Sequence, residues 1–237
     1  MRLAFTPTVA AGSSLAELAA DAADAQAAML VLPEAASDVR PEPSDGGWAE
    51  QAAALARRHR LAILLGYAER CTTGLYGAAM LIDRHGICIA NYRQTHVREP
   101  DRRQAGQWLS VMPVDSHKIG LLIGYDIEFP EPARALALAG CGLIVVLGGH
   151  SDRDAGILLP ARARENRCWI AYCGETPRLL GRDGSGQPLE RRGPILIGQV
   201  RPDIDAGAGR ADLLRDRQPR LYRELTHFPS AEMVRPS

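Results

Sequence analysis

The residues of this chain that are best placed for chemistry come directly after runs typical of β-strands. Glu34 supplies a carboxylate and Cys173 supplies a thiol at such positions, and both are groups that can exchange protons. Ligands of layered α/β folds bind where strands end and loops begin. The sequence therefore indicates a pocket at these strand ends, lined by Glu34, Gln94, Gly124, His150 and Cys173.

The composition limits which chemistry is available. Of the 28 basic residues all but Lys118 are arginines, so a mechanism that needs a lysine has one candidate. The five cysteines are odd in number and lack CxxC spacing. This pattern is typical of reduced thiols in a cytoplasmic protein rather than of disulfides. We expect Cys88, Cys141 and Cys168 to be buried within strands, and Cys71 to lie in an exposed loop.

Charge and hydropathy exclude several classes of partner. The 28 basic and 28 acidic residues cancel, so no net field attracts nucleic acid or an anionic membrane. No apolar run reaches the roughly 18 residues of a membrane span. The first residues favour a strand over a signal peptide. We expect a soluble cytoplasmic protein that binds neither nucleic acid nor membrane and, since no metal or phosphate-binding motif is present, needs no metal or other cofactor.

Strand-like and helix-like runs alternate along the chain. Ser14-Leu-Ala-Glu17 is a capping box that predicts the first helix. The cluster of Arg57, Arg58 and Arg60 suits the C-terminus of the second helix better than a nucleic-acid site. The predicted helices are 14–28, 48–59, 130–140, 155–167 and 211–225; the predicted strands are 2–6, 29–32, 61–67, 75–83, 87–93, 108–114, 118–125, 141–147 and 168–173, with hairpin-like pieces at 181–192 and 194–200.

These elements predict a single α/β domain over residues 1–237. Several apolar runs are typical of strands buried on both faces, and they alternate with helices, as in a layered α/β fold. The turn Asp83-Arg84-His85-Gly86 fits a hairpin, so the sheets should be mixed rather than purely parallel.

Six segments along the chain carry a family resemblance. They are Val31-Leu-Pro-Glu34, Gly74-Leu-Tyr-Gly77, Tyr92-Arg-Gln-Thr-His96, Lys118-Ile-Gly-Leu-Leu-Ile-Gly-Tyr-Asp-Ile-Glu-Phe-Pro-Glu131, Leu159-Pro-Ala-Arg-Ala-Arg-Glu-Asn166 and Leu214-Arg-Asp-Arg-Gln-Pro-Arg-Leu-Tyr222. In this order they resemble segments of the nitrilase superfamily of carbon-nitrogen hydrolases, over almost the whole chain. The resemblance implies a four-layer α-β-β-α sandwich that forms at least a homodimer, and a small-molecule ligand related to an amide, a nitrile or a carboxylate.

The family's catalysis uses a glutamate base, a lysine that stabilises the oxyanion, and a cysteine nucleophile. Position by position, the glutamate falls on Glu34, the lysine on Gln94 and the cysteine on Gly124. A further family glutamate would fall near Arg102, and an asparagine falls on Gly77. Tyr125 and Glu128 follow the nucleophile position and are, with Arg102, His150 and Cys173, the expected ligand-binding residues.

The resemblance thus implies a site without two of its three catalytic groups. Lys118 lies six residues before Gly124 on one strand, about 20 Å away, and cannot replace the missing lysine. Loss of a nucleophile costs about 10⁶ in turnover. Without an ammonium beside it, Glu34 should be either protonated or paired with Arg98, Arg102 or Arg103.

Three functions are compatible with this pattern. We expect a pseudoenzyme or small-molecule-binding homologue of the carbon-nitrogen hydrolases. The first alternative is an enzyme that uses Glu34 on a small amide or carboxylate without covalent catalysis. The second alternative is a structural subunit that pairs with an active homologue.

Overall fold

A computed structural model describes residues 1–7, 13–34, 41–98, 101–148, 152–201 and 213–226. The chain divides into two compact units, Met1–Ile204 and Asp205–Ser237. His150, expected at the pocket, lies outside the described residues. None of the described helices is long and apolar enough to cross a membrane.

The larger unit contains strands and helices in close to the predicted order. The helices are α1 (Leu15–Asp24), α2 (Gly47–His59), α3 (Pro130–Leu138) and α4 (Asp152–Asn166). The strands are β1 (Arg2–Phe5), β2 (Met29–Val31), β3 (Ala62–Cys71), β4 (Gly74–Ile82), β5 (Cys88–Arg93), β6 (Val111–Val114), β7 (His117–Ile123), β8 (Leu143–Leu147), β9 (Trp169–Cys173), β10 (Arg178–Leu180), β11 (Gly186–Gln187), β12 (Glu190–Arg192) and β13 (Ile195–Gln199).

These strands form two mixed sheets. The first has the order β12-β13-β1-β2-β3-β4-β5, and the second has the order β11-β10-β9-β8-β7-β6. In the first sheet β2 is parallel to both β1 and β3, and in the second sheet β8 is parallel to both β7 and β9. Pairs farther from these centres, such as β3 with β4 and β9 with β10, are antiparallel.

Side-chain alternation along the central strands explains the layering. In β8, Val145 packs in the core between the two sheets, whereas Ile144 and Val146 face the core beneath α3 and α4. In β3, Leu64 faces the other sheet and Ile63 faces the core beneath α1 and α2. Successive residues of a central strand therefore face opposite apolar layers, and the predicted four-layer α-β-β-α sandwich is confirmed.

Local signals fix several boundaries. The capping box at Ser14 is present, with the Glu17 amide 3.3 Å from Ser14 Oγ and the Ser14 amide 2.7 Å from Glu17 Oε2. The helix ends before residue 28, because Gln26 adopts a left-handed φ of +56°. The predicted strand 118–125 ends at Ile123, because Gly124 adopts a φ of +43° and begins a short 3-10 helix, Gly124–Glu128.

Two element predictions need larger corrections. The predicted strand 108–114 begins only at Val111, and the Trp108 residue is 79% exposed. In the smaller unit, the described part of the predicted helix 211–225 is α-helical only at residues 213–215, and two short 3-10 helices, Pro219–Leu221 and Arg223–Thr226, follow. Pro219 lacks an N–H and disfavours helical geometry at the residue before it, so a continuous helix cannot pass this point unbroken.

Candidate functional site

Glu34 lies where the two sheets meet at the carboxyl ends of their parallel strands. A Cβ atom on Gly66 of β3 would stand 2.6 Å from Glu34 Cα, and one on Gly148, which follows β8, would stand 2.8 Å from Glu34 Cβ. The same position on Gly148 is 3.0 Å from Glu34 Oε2. Both glycines therefore allow a close approach to Glu34 that no other residue type would permit without a shift.

Gly124 follows β7 directly, as Gly148 follows β8. Ile123 and Leu147, the residues before these glycines, are partners in the parallel register of the two strands. Gly124 is buried and has a φ of +43°, so β7 ends there in a sharp turn. Gly124 therefore belongs to the same edge of the second sheet as Gly148, which approaches Glu34.

A buried carboxylate that the sequence analysis did not single out holds this turn together. Asp126 is fully buried, and its Oδ2 accepts hydrogen bonds from the Ile123 amide at 2.9 Å and the Tyr92 hydroxyl at 2.7 Å. Its Oδ1 accepts from the backbone amides of Thr95 at 3.0 Å and His96 at 2.8 Å. Asp126 therefore joins the end of β7 to the segment after β5. In the sequence, the sign of this role is an acidic residue shortly after the apolar run of β7.

Gln94 is fixed at the edge of the first sheet by its backbone. Its amide donates to the Gly77 carbonyl at 2.8 Å, and its carbonyl accepts from the Gly106 amide at 2.7 Å. The side chain is 4% exposed, and its Oε1 has no hydrogen-bond partner among the described residues. An unpaired buried acceptor is costly, and it marks a place where a ligand donor could bind.

The cation beside Glu34 is Arg103. Its Nη1 lies 2.8 Å from Glu34 Oε1, and its Nη2 lies 2.6 Å from Asp101 Oδ2. The hydrogen bond from Arg103 lowers the pKa of Asp101, and the two carboxylates, Asp101 first, raise the pKa of Arg103. Of the three arginines predicted as partners, Arg103 pairs with Glu34. Glu34, Asp101 and Arg103 together carry one net negative charge.

Gly77 makes room for this guanidinium. A Cβ atom at Gly77 would stand 2.8 Å from Arg103 Nη1 and 3.0 Å from Gln94 Oε1. The arginine donor and the unpaired glutamine acceptor therefore both border the same small space.

The other predicted ligand-binding residues differ in their contacts. Arg102 is exposed, and its neighbour Arg103 makes the contact with Glu34 instead. Tyr125 is half-buried, with the Arg98 guanidinium 4.4 Å from its ring centre. The Glu128 carbonyl accepts from Arg162 Nη2 at 2.9 Å.

Cys173 lies in the core between the sheets rather than in a pocket. It is fully buried, and its Sγ lies 3.3 Å from the Val31 carbonyl and 3.4 Å from the Thr6 carbonyl. Burial raises the pKa of the thiol to about 12. Cys173 is therefore a packing residue with very little thiolate, which makes it a poor substitute nucleophile.

Of the remaining candidates for chemistry, Cys141 and Cys168 are buried as predicted. Cys88 is exposed at the start of β5 rather than buried, and Cys71 lies at the end of β3 rather than in a loop. Lys118 is exposed near the start of β7, at the end of the strand away from Gly124. Within the described part of the chain, no cluster of three or more His, Cys, Asp or Glu side chains could hold a metal ion.

Comparison with known proteins agrees with this fold. Residues 4–188 match a family model described as carbon-nitrogen hydrolase. The chain is 37% identical to the "Hydrolase in pqqF 5'region" of Pseudomonas protegens, over 90% of this chain and 85% of the relative. It is 32% identical to the (R)-stereoselective amidase of a Pseudomonas species, over 79% of this chain and 75% of that protein. It is 31% identical to human deaminated glutathione amidase, over 90% of this chain and 79% of that protein.

Solved structures with the same architecture include an amidase of the nitrilase superfamily from Nesterenkonia. A cysteine-to-alanine variant of that enzyme matches with a TM-score of 0.75 and 25% identity, over 95% of this chain and 97% of the amidase chain. The same amidase in complex with butyramide matches with a TM-score of 0.74 and 24% identity.

Proposed function

Because the chain belongs to the carbon-nitrogen hydrolase family, we propose that it is a non-hydrolytic homologue that binds a small primary amide beside Glu34. The observation that carries this proposal is the glycine at the end of β7: Gly124 has no side-chain atom that could form an acyl-enzyme. Its φ of +43° retains a sharp turn without a nucleophile on it.

The polar groups around Gly77 complement a carboxamide. Arg103 could donate an N–H to the amide carbonyl, and the buried Gln94 Oε1 could accept an N–H from the amide nitrogen. A carboxylate ligand fits less well, because Glu34, Asp101 and Arg103 together carry a net negative charge. The ion pair with Arg103 also keeps Glu34 Oε1 engaged, which supports binding over general-base catalysis. The homodimer and the cytoplasmic location predicted from the sequence belong to this proposal as well.

Calorimetry with acetamide, butyramide and benzamide, together with an ammonia-release assay, tests the proposal. We expect the natural chain to bind at least one of these amides and to release no ammonia from it. Gln94→Ala should weaken binding by about tenfold, since it removes the acceptor for the amide N–H.

A double variant tests whether the missing groups account for inactivity. Gly124→Cys with Gln94→Lys should gain ammonia release, whereas the matched control Gly124→Ala with Gln94→Lys should not. Failure of the natural chain to bind any of the three amides would overturn the proposal. Ammonia release by the natural chain that is lost in Glu34→Gln would replace it with the non-covalent enzyme.

A further inference from the structure

An open cleft lined by three arginines and a histidine, all of them exposed, lies on the same unit away from Glu34. Its volume is about 530 Å³, and it is lined by Arg57, Arg60, Arg84 and His85. Arg57 belongs to the last turn of α2 and Arg60 caps that helix. The other two residues belong to the turn between β4 and β5.

The cleft is separate from the site proposed to bind an amide. Glu34 contacts β3 at Gly66, whereas Arg60 lies six residues earlier, before that strand begins. Six residues of extended chain span about 20 Å. A ligand in this cleft would therefore not touch Glu34, Gln94 or Arg103.

The positive charge of the cleft is only partly neutralised. Arg84 Nη1 pairs with Asp115 at 3.2 Å, and the Arg84 Nε donates to His85 Nε2 at 3.4 Å. Neither Arg57 nor Arg60 has a carboxylate partner among the described residues. Arginines that converge without counter-charges repel one another, and an anion placed between them relieves this repulsion.

The fold fixes the two walls of the cleft against each other. Gly86 has a φ of +75°, and a Cβ atom on it would stand 2.5 Å from the Ala53 carbonyl and 2.6 Å from Arg57 Cγ. Asp83 Oδ1 accepts the backbone amides of His85 at 2.9 Å and Ile87 at 2.8 Å, which holds the turn in shape. The favourable interaction of cations with a helix C-terminus explains the arginines on α2. It does not explain why Arg84 and His85, which belong to a separate turn, line the same cleft.

We propose that this cleft binds a small molecule that carries a di- or triphosphate group. Guanidinium groups bind phosphate oxygens through paired N–H donors, and several arginines around one space suit adjacent phosphates. The volume lies within the range of small-ligand sites.

Isothermal titration with inorganic pyrophosphate and with ATP in 150 mM NaCl tests the proposal on the full chain. We expect saturable binding of one equivalent of at least one probe, weakened at least tenfold in Arg57→Gln with Arg60→Gln. The matched control is Arg58→Gln, which removes an exposed arginine of the same helical turn that does not line the cleft. It should change the affinity less than twofold.

Three results would overturn the proposal. The first is no saturable binding of either probe. The second is an equal loss of affinity in the control and in the double variant, which would mean unspecific attraction to surface charge. The third is binding to duplex DNA, or to vesicles of phosphatidylglycerol and phosphatidylcholine, that depends on Arg57 and Arg60 and that pyrophosphate does not compete away. Thermal unfolding of each variant separates lost binding from lost folding.

Discussion

Gly124 and Asp126 stand two residues apart on the same buried turn, yet they differ in what they contribute. Asp126 accepts hydrogen bonds from β7 and from the segment after β5, so it links both sheets. Gly124 supplies only its backbone conformation. The framework of the turn and its reactivity thus depend on different residues. A sequence can therefore lose the reactive group and keep the framework that would position it.

The largest expected effect is at the framework residue. Asp126→Ala should lower the free energy of unfolding by about 3–5 kcal/mol, because buried donors from Tyr92, Thr95 and Ile123 would lose their acceptor. Urea unfolding measures this. Asp183, an exposed acceptor for the Ser185 amide and hydroxyl, is the control, and Asp183→Ala should cost less than about 1 kcal/mol. Equal effects of the two substitutions would mean that Asp126 does not hold the turn together.

The buried thiol of Cys173 is the group that could restore the reactivity that Gly124 lacks, so its reactivity tests whether the turn has a nucleophile nearby. Burial raises the pKa of Cys173, whereas a hydrogen bond with Thr73 lowers the pKa of the accessible Cys71. At pH 8, iodoacetamide should label Cys71 at least a hundredfold faster than Cys173. Peptide mass spectrometry after timed quenching measures both rates, and Cys71→Ser is the control for peptide assignment. Fast native-state labelling of Cys173 would show that a nucleophile is accessible after all.

A smaller effect is expected at the glycine of the turn. Gly124→Ala should destabilise the protein by about 1–2 kcal/mol, because a φ of +43° is unfavourable for a residue with a Cβ atom. Gly186→Ala is the matched control, since a Cβ there would meet no atom within 4 Å. Unfolding free energies of the two variants give the comparison. A neutral Gly124→Ala would mean that the sharp turn does not require glycine.

The smallest effect concerns the ion pair that positions Arg103. Arg103 lowers the pKa of Asp101 below its ordinary value of 3.8. Its contribution to stability is therefore present above about pH 4 and is lost as the pH falls through the lowered pKa. Asp101→Asn should cost less than about 1 kcal/mol at pH 7, because the pair is partly exposed, and even less at pH 3.

A double-mutant cycle isolates this pair from the rest of the molecule. In an Arg103→Gln background, the pH dependence of Asp101→Asn should become smaller, and only the part due to backbone N–H groups should remain. An unchanged pH dependence would mean that the Arg103 guanidinium does not lower the pKa of Asp101.

Local patterns were sufficient for most of the fold. The capping box at Ser14 and the doubly buried strands could be predicted because their signals lie within a few residues of one another. The failure at Trp108 has a physical reason, since an aromatic residue next to a strand favours extended structure without determining whether it is paired.

The site was predictable only in part. The strand ends identified Glu34 and Gln94, but the contact between Glu34 and Arg103 joins residues 69 positions apart. Arg98, Arg102 and Arg103 were equivalent candidates in the sequence, and the position of Asp101 and the open space at Gly77 distinguish them in the structure. Such choices depend on tertiary packing, which a single sequence does not encode in any local pattern.

The close contacts of Glu34 with Gly66 and Gly148 have a consequence for mutational tolerance. Neither glycine carries a functional group, yet any side chain at either position would displace Glu34. A saturation library selected for ligand binding would therefore accept little besides glycine at both positions. Positions without chemistry of their own would then rank with Glu34 among the least replaceable in the chain.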